Sequence, residues 1–219
     1  MSLFNLEMNS EDNKIYDFHL KYIIMGEPKV GKSNLLSRFA FNHFFGDNLF
    51  GYEFGVKKTK IRNKIYKIIA WDSDRHYFKK ASNLYKKSTC ALIVYDITNK
   101  ESFTNIIEWI EVCLELNKKS IYMILVGNKS DLSEQREVSI EEGQKLADKY
   151  GMKFFECSGK TGNNVEEIFY KSLDDIAKKI EQGLINLSEN GIHKNNSTEN
   201  SNFQLNKDDS KKLKKNQNC

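Results

Sequence analysis

The run Gly26-Glu27-Pro28-Lys29-Val30-Gly31-Lys32-Ser33 constrains this chain more than any other feature. It has the form G-x-x-x-x-G-K-[ST]. It follows the apolar stretch Tyr22-Ile23-Ile24-Met25 and opens a helical pattern at Leu35, Leu36 and Phe39. A strand, a glycine-bounded loop and a helix in that order form a phosphate-binding loop. Its backbone N–H groups and the positive end of the following helix cradle a polyanion. Lys32 is expected to reach the outer phosphates and the Ser33 hydroxyl to bind Mg²⁺, with Asn34 continuing the same turn.

A second motif lies far downstream. Leu125-Val126-Gly127-Asn128-Lys129-Ser130-Asp131 closes an apolar strand pattern with N-K-x-D, and Leu132 follows it. A carboxylate at Asp131 can accept two hydrogen bonds from the N1 and N2 edge of guanine. Adenine has no matching donors, so its acceptors would be left unpaired. Asn128 is expected to tie the base to the loop, and the Lys129 stem to cover one face of the ring. Cys157-Ser158-Gly159-Lys160 follows the strand pattern Lys153-Phe154-Phe155, and its backbone N–H groups can meet the guanine O6. A phosphate loop and two base loops together specify GTP or GDP as ligand, with Mg²⁺. An ATP-using enzyme has no use for N-K-x-D.

These three motifs, with Leu92-Ile93-Val94-Tyr95-Asp96-Ile97-Thr98 between them, resemble those of a Ras-superfamily small GTPase. Phe50-Gly51-Tyr52-Glu53-Phe54-Gly55, Ser102-Phe103 and Trp109 are most similar to the Rab branch. The resemblance covers roughly residues 18 to 180. It implies a GDP/GTP switch, Mg²⁺ held by Ser33 and Asp72, and exchange factors, GTPase-activating proteins and effectors as partners. It also implies work in vesicle traffic.

Alternating apolar runs and helical periodicities place strands near 18–25, 53–61, 65–71, 89–95, 120–127 and 152–157. Helices are expected near 32–41, 101–116, 139–150 and 163–180, and a fifth near 77–87. Arg62-Asn63-Lys64 reads as a hairpin turn. The fold expected is an α/β P-loop NTPase G domain. Its six-stranded, mainly parallel sheet has one antiparallel edge strand and about five flanking helices, with ligand at the carboxyl ends of the strands. The domain is expected over 18–180, after a flexible extension over 1–17. From 181 to 219 there are nine asparagines and few apolar residues beyond Leu187, the composition of a disordered tail.

That tail carries Lys211-Lys212-Leu213-Lys214-Lys215 before Cys219. A basic run beside a cysteine suits a lipid anchor, and the resemblance implies prenylation there. The ending is neither C-a-a-X nor a double cysteine, so an unmodified Cys219 is the alternative. No basic patch followed by an apolar run opens the chain, and four scattered cysteines point to reduced thiols. The expected location is the cytoplasm, at the cytoplasmic face of an endomembrane or the plasma membrane. A net charge of +4 with interleaved signs indicates no nucleic-acid partner.

The departures from the family pattern sit where hydrolysis and switching occur. Pro28 removes an N–H from the phosphate loop, and Lys29 stands where the family has glycine. Phe44 matches the aromatic that packs on guanine, yet only four residues separate it from Leu49, which stands where the family's threonine closes over Mg²⁺. Leucine offers no oxygen; Asn48 is the substitute ligand available. The second switch reads Trp71-Asp72-Ser73-Asp74-Arg75-His76-Tyr77, where the family has W-D-T-A-G-Q-E. Arg75 replaces the γ-phosphate-sensing glycine. His76 is the candidate catalytic residue for positioning water, with a solvated loop histidine as its alternative. Two functional readings follow: a slow Rab-like GTPase, or a pseudo-GTPase that binds guanine nucleotide structurally and acts as an adaptor.

Overall fold

The structure is a computed structural model and describes residues 16–46, 54–72, 86–117 and 121–195. Its strands are β1 (Phe18–Met25), β2 (Phe54–Ile61), β3 (Lys64–Asp72), β4 (Cys90–Asp96), β5 (Tyr122–Asn128), β6 (Lys153–Glu156) and β7 (His193–Lys194). Its helices are α1 (Lys32–Phe41), α2 (Lys100–Thr104), α3 (Ile106–Leu116), α4 (Ile140–Lys149) and α5 (Val165–Glu181), with a 3₁₀ turn over Ser130–Gln135. The six expected strands form one sheet in the order β2-β3-β1-β4-β5-β6. All neighbours are parallel except the β2–β3 hairpin at the edge. Parallel order puts the carboxyl ends of β1, β3, β4, β5 and β6 on one rim, where the loops after β1, β3, β5 and β6 collect.

Two cores flank the sheet. Leu20, Tyr22, Ile24, Tyr66 and Ile68 face Leu35, Leu36 and Phe39 of α1 and Ile168, Phe169, Leu173 and Ile176 of α5. The apolar stripe of the last long helix is therefore packing. On the other face Ile23, Met25, Ile93 and Leu125 meet Ile106, Trp109, Ile110 and Cys113 of α3 and Ala147 of α4. Ser139 and Glu142 form a reciprocal capping box at the start of α4.

Two local expectations are corrected and a third is not tested. The helix expected over 101–116 is two helices joined at Asn105, with α2 capped by Asn99, whose side chain accepts from Ser102 N. The helix expected near 77–87 lies outside the described residues except for 86–87, which form a turn. The hairpin turn is Arg62-Asn63 alone, with both residues left-handed (φ 49° and 61°), the type I′ geometry that matches strand twist. Arg62 tolerates it while its guanidinium bonds Asp174 (2.8 Å) and Glu181 (3.3 Å) of α5.

The domain does not end at 180. Residues 184–195 fold back beneath the sheet, and β7 pairs antiparallel with the first residues of β1 (Phe18↔Lys194, His19↔His193). The reason is the stagger of the sheet: β4 meets β1 only from Tyr22 onward, which leaves the start of that edge open for another strand. Thr89 fastens the return. Its hydroxyl accepts from Lys21 N and donates to Asn190 O. Ile192 is 2% exposed and joins the first core. Asn186 Oδ1 accepts from Ser188 N and Glu189 N, so an asparagine that reads as tail composition here builds a turn. At the other boundary, Asp17 belongs to the fold, exchanging backbone and carboxylate bonds with Ile65 (2.7 Å each).

Candidate functional site

The loop after β1 is shaped as the sequence suggests. Gly26 has φ 148°, and a Cβ there would lie 2.1 Å from Val94 O; a Cβ on Gly31 (φ 95°) would lie 2.3 Å from Asn128 Nδ2. Neither position admits a side chain. Lys32 is buried, with its ammonium on Gly26 O (3.0 Å) and Glu27 O (2.9 Å), so its charge is held across the loop. The N-terminus of α1 has no side-chain cap and no acidic residue in its first turn, the condition for receiving an anion there. Lys29 adopts φ 67°, the left-handed conformation for which glycine is the relaxed choice.

Ser33 Oγ donates to Asp72 Oδ2 at 2.5 Å, joining the start of α1 to the end of β3. A hydroxyl and a carboxylate brought together beside a phosphate loop fit a hard, oxygen-seeking cation such as Mg²⁺. Asn34 Oδ1 is buried with no hydrogen-bond partner among the described residues, and Asn34 packs on Gly159, whose Cβ would come within 3.3 Å of it.

The base loops converge on Asn128. Its Nδ2 donates to Val30 O (2.7 Å) and its Oδ1 accepts from Gly159 N (3.0 Å), so one buried side chain fixes the phosphate loop against the loop after β6. Lys129 is left-handed (φ 67°), and its ammonium pairs with Asp96 at 2.6 Å. Asp131 accepts from Ser158 Oγ at 2.6 Å, and the same hydroxyl accepts from Thr161 N. Leu132 follows in the 3₁₀ turn. Burial pushes the Cys157 thiol well up, so beneath this loop it is a neutral packing group.

The structure thus brings together Gly26 to Asn34, Asp72, Asn128 to Leu132 and Ser158 to Lys160. Phe44 is half-buried beyond the end of α1, where Ser37 Oγ bonds His43 O. Asn48, Leu49, Arg75, His76 and Cys219 lie outside the described residues.

Two supports escaped the sequence reading. Arg38, on α1, donates through Nε to Gly159 O (3.1 Å), through Nη1 to Asn42 O (3.1 Å) and through Nη2 to Lys160 O. It lies seven residues after Gly31, two turns into the helix, and that spacing was the only signal available. Trp109 Nε1 donates to Glu27 Oε1 (3.0 Å), tying α3 to the phosphate loop; the sequence marks Trp109 only by its resemblance to the Rab pattern.

The Ras family profile matches residues 21–178, most of the chain. The chain belongs to the Ras family of small GTPases. It is similar to the Ras-related protein Rab-2B of Dictyostelium discoideum, 38% identical over 187 residues that cover 84% of this chain and 93% of that protein. Among the described residues no helix is long and apolar enough to cross a membrane.

Proposed function

We propose that this chain is a Rab-like guanine-nucleotide switch of membrane traffic whose intrinsic GTP hydrolysis is slow. The observation that carries the binding half is Asn128, which locks Val30 of the phosphate loop and Gly159 of the base loop into one frame. Within it, the backbone N–H groups of Glu27 and of Lys29 to Ser33, with the Lys32 ammonium, hold the phosphates. Ser33 and Asp72 hold Mg²⁺, which neutralises phosphate charge when bound. Asp131 accepts the N1 and N2 protons of guanine, and Ser158 keeps that carboxylate in place. Lys129, held by Asp96, covers the ring.

The slow-hydrolysis half rests on residue identity. Leu49 offers no oxygen where a threonine is expected, and Arg75-His76 replace Gly-Gln. Orienting the attacking water is the protein's main contribution to phosphoryl transfer to water, and His76 is the residue left for it. The same identities favour the second reading, a guanine-nucleotide-binding adaptor without turnover. In either case the chain works on the cytoplasmic face of a membrane, through effectors and exchange factors. Its tail lysines and a prenylated Cys219 supply the attachment.

Single-turnover hydrolysis on purified protein, with the co-purified nucleotide identified first, separates the readings. GDP as purified and a rate near or below about 10⁻⁴ s⁻¹ supports the slow switch. Retained GTP without turnover establishes the adaptor. Loss of affinity for both nucleotides refutes the two together.

A further inference from the structure

The phosphate loop carries an acid of its own. Glu27 follows Gly26 at the end of β1, and its carboxylate Oε1 accepts from Trp109 Nε1 at 3.0 Å. An indole N–H is a neutral donor. It fixes where the carboxylate stands without cancelling its charge. A negative group is thus built into a loop whose ligand is a polyanion. Between Gly26 and Ser33 the charged side chains are Glu27, Lys29 and Lys32. Without Lys29 the loop would be neutral, because Glu27 would offset Lys32.

Lys32 is committed to its own loop, with its ammonium on Gly26 O (3.0 Å) and Glu27 O (2.9 Å). Lys29 is not. Its neighbour Val30 is 2% exposed, belongs to the first core, and has its carbonyl held by Asn128 Nδ2 at 2.7 Å. That anchor fixes the backbone and leaves Lys29 exposed at the crest of the loop. Among the described residues no carboxylate pairs with its ammonium. Its backbone is left-handed (φ 67°), a conformation that costs any residue bearing a Cβ. Pro28, just before it, brings no N–H to the cradle. A strained residue beside a missing donor, with an uncommitted charge on a flexible four-carbon stem, is placed to act on the ligand.

We propose that Lys29 is a second phosphate-binding lysine, whose ammonium restores to the loop the positive charge that Glu27 removes. The proposal rests on the reading of this loop as the cradle of a guanine nucleotide, and deepens it by naming how a loop with an acid in it retains that ligand. Lys29 and Glu27 act as an opposed pair on the nucleotide's release. The effect is electrostatic, so it depends on salt, and it is independent of the backbone strain at the same position. One exposed charge beside a polyphosphate changes the release rate by about tenfold at low ionic strength.

The test is a charge cycle on the full chain, read as release of a fluorescent GDP analogue at ~0.05 M and ~0.5 M salt. Four variants are compared with the unaltered protein: Lys29→Gln, Lys29→Arg, Glu27→Gln and the Glu27→Gln, Lys29→Gln double variant. Glutamine at 29 keeps the Cβ and its strain while losing the charge; glutamine at 27 keeps an oxygen for Trp109 Nε1. Lys29→Gln should release the analogue about tenfold faster at low salt and nearly at the unaltered rate at high salt, where an exposed charge is screened. Lys29→Arg should match the unaltered chain. Glu27→Gln should slow release, and the double variant should return close to the unaltered rate. Unchanged release in Lys29→Gln at low salt overturns the proposal and leaves the nucleotide reading intact. Faster release that salt does not reduce and Glu27→Gln does not correct overturns it as well, since that is the mark of altered loop structure. An unaltered chain with no affinity for the analogue overturns the nucleotide reading, and the proposal with it.

Discussion

Arg38→Ala should speed nucleotide release without dismantling the fold. The side chain makes three bonds to backbone carbonyls, two of them in the base loop (Gly159 O and Lys160 O) and one at Asn42 O, where α1 leads towards the first switch. Only the Nε bond to Gly159 is partly buried; the other two are exposed. A charge-assisted bond in a half-buried setting contributes about 1–1.5 kcal/mol, and each exposed one a few tenths, giving about 2 kcal/mol in all. The groups left behind are carbonyls that water can reach, so no further penalty attaches to them. If that energy orders the Ser158–Lys160 loop around the base, its loss appears in the release rate as up to about thirtyfold. Chasing a fluorescent GDP analogue from the protein measures it, beside thermal unfolding of the nucleotide-loaded form. Arg38→Lys should recover only part of the effect, because an ammonium on a flexible stem cannot span three carbonyls as the planar guanidinium does. Unchanged release in the alanine variant, or full recovery with lysine, would refute the coupling.

Asp131→Asn should lower guanine nucleotide affinity by about two to four orders of magnitude, since two bonds to a charged acceptor are lost, and should admit xanthine nucleotides; a competition assay with both reads it, and unchanged guanine affinity means the base lies elsewhere. Lys29→Gly relieves a left-handed residue at about 1–2 kcal/mol while adding unfolded-state entropy, so a net gain of about 0.5–1 kcal/mol is expected, a rise of about 2–3 °C in Tm; a fall in Tm contradicts the strain argument. His19, between β3 and β7, has its pKa lowered to about 4, first by burial and then by Lys67, His193 and Lys21. Above pH 6.5 it is neutral in both states and its contribution is complete. Below that the unfolded chain takes the proton first, so stability drains as pH falls from about 6.5 to about 4, by at most about 3 kcal/mol. Denaturant titration across that range should show a slope that His19→Leu flattens, and parallel profiles for the two proteins would exclude His19 as the cause.

Strands and nucleotide loops were legible because their signals are local. An apolar run bounded by glycine or lysine-rich turns sets each strand, and Gly26, Gly31, Asn128 and Asp131 announce themselves by spacing. Supports contributed by one element to another were not legible. Nothing in the sequence says that Arg38 turns its guanidinium to a loop over a hundred residues away, or that Trp109 reaches Glu27. Periodicity marks 101–116 as one helix, and the break at Asn105 divides it. The largest omission was 184–195. Its composition argues against folding by itself, and the sheet recruits it: Ile192 is buried, Ile185 and Leu187 pack partly buried against the same core, and the late start of β4 leaves an edge open. Asparagines at 186 and 190, counted as tail, close its turns. Gly191 (φ 61°) passes so close to Lys87 that a Cβ would lie 1.8 Å from its carbonyl oxygen. That segment is held both by the edge the sheet leaves open and by the few apolar side chains it carries there. A composition rule that treats each stretch in isolation has no access to it.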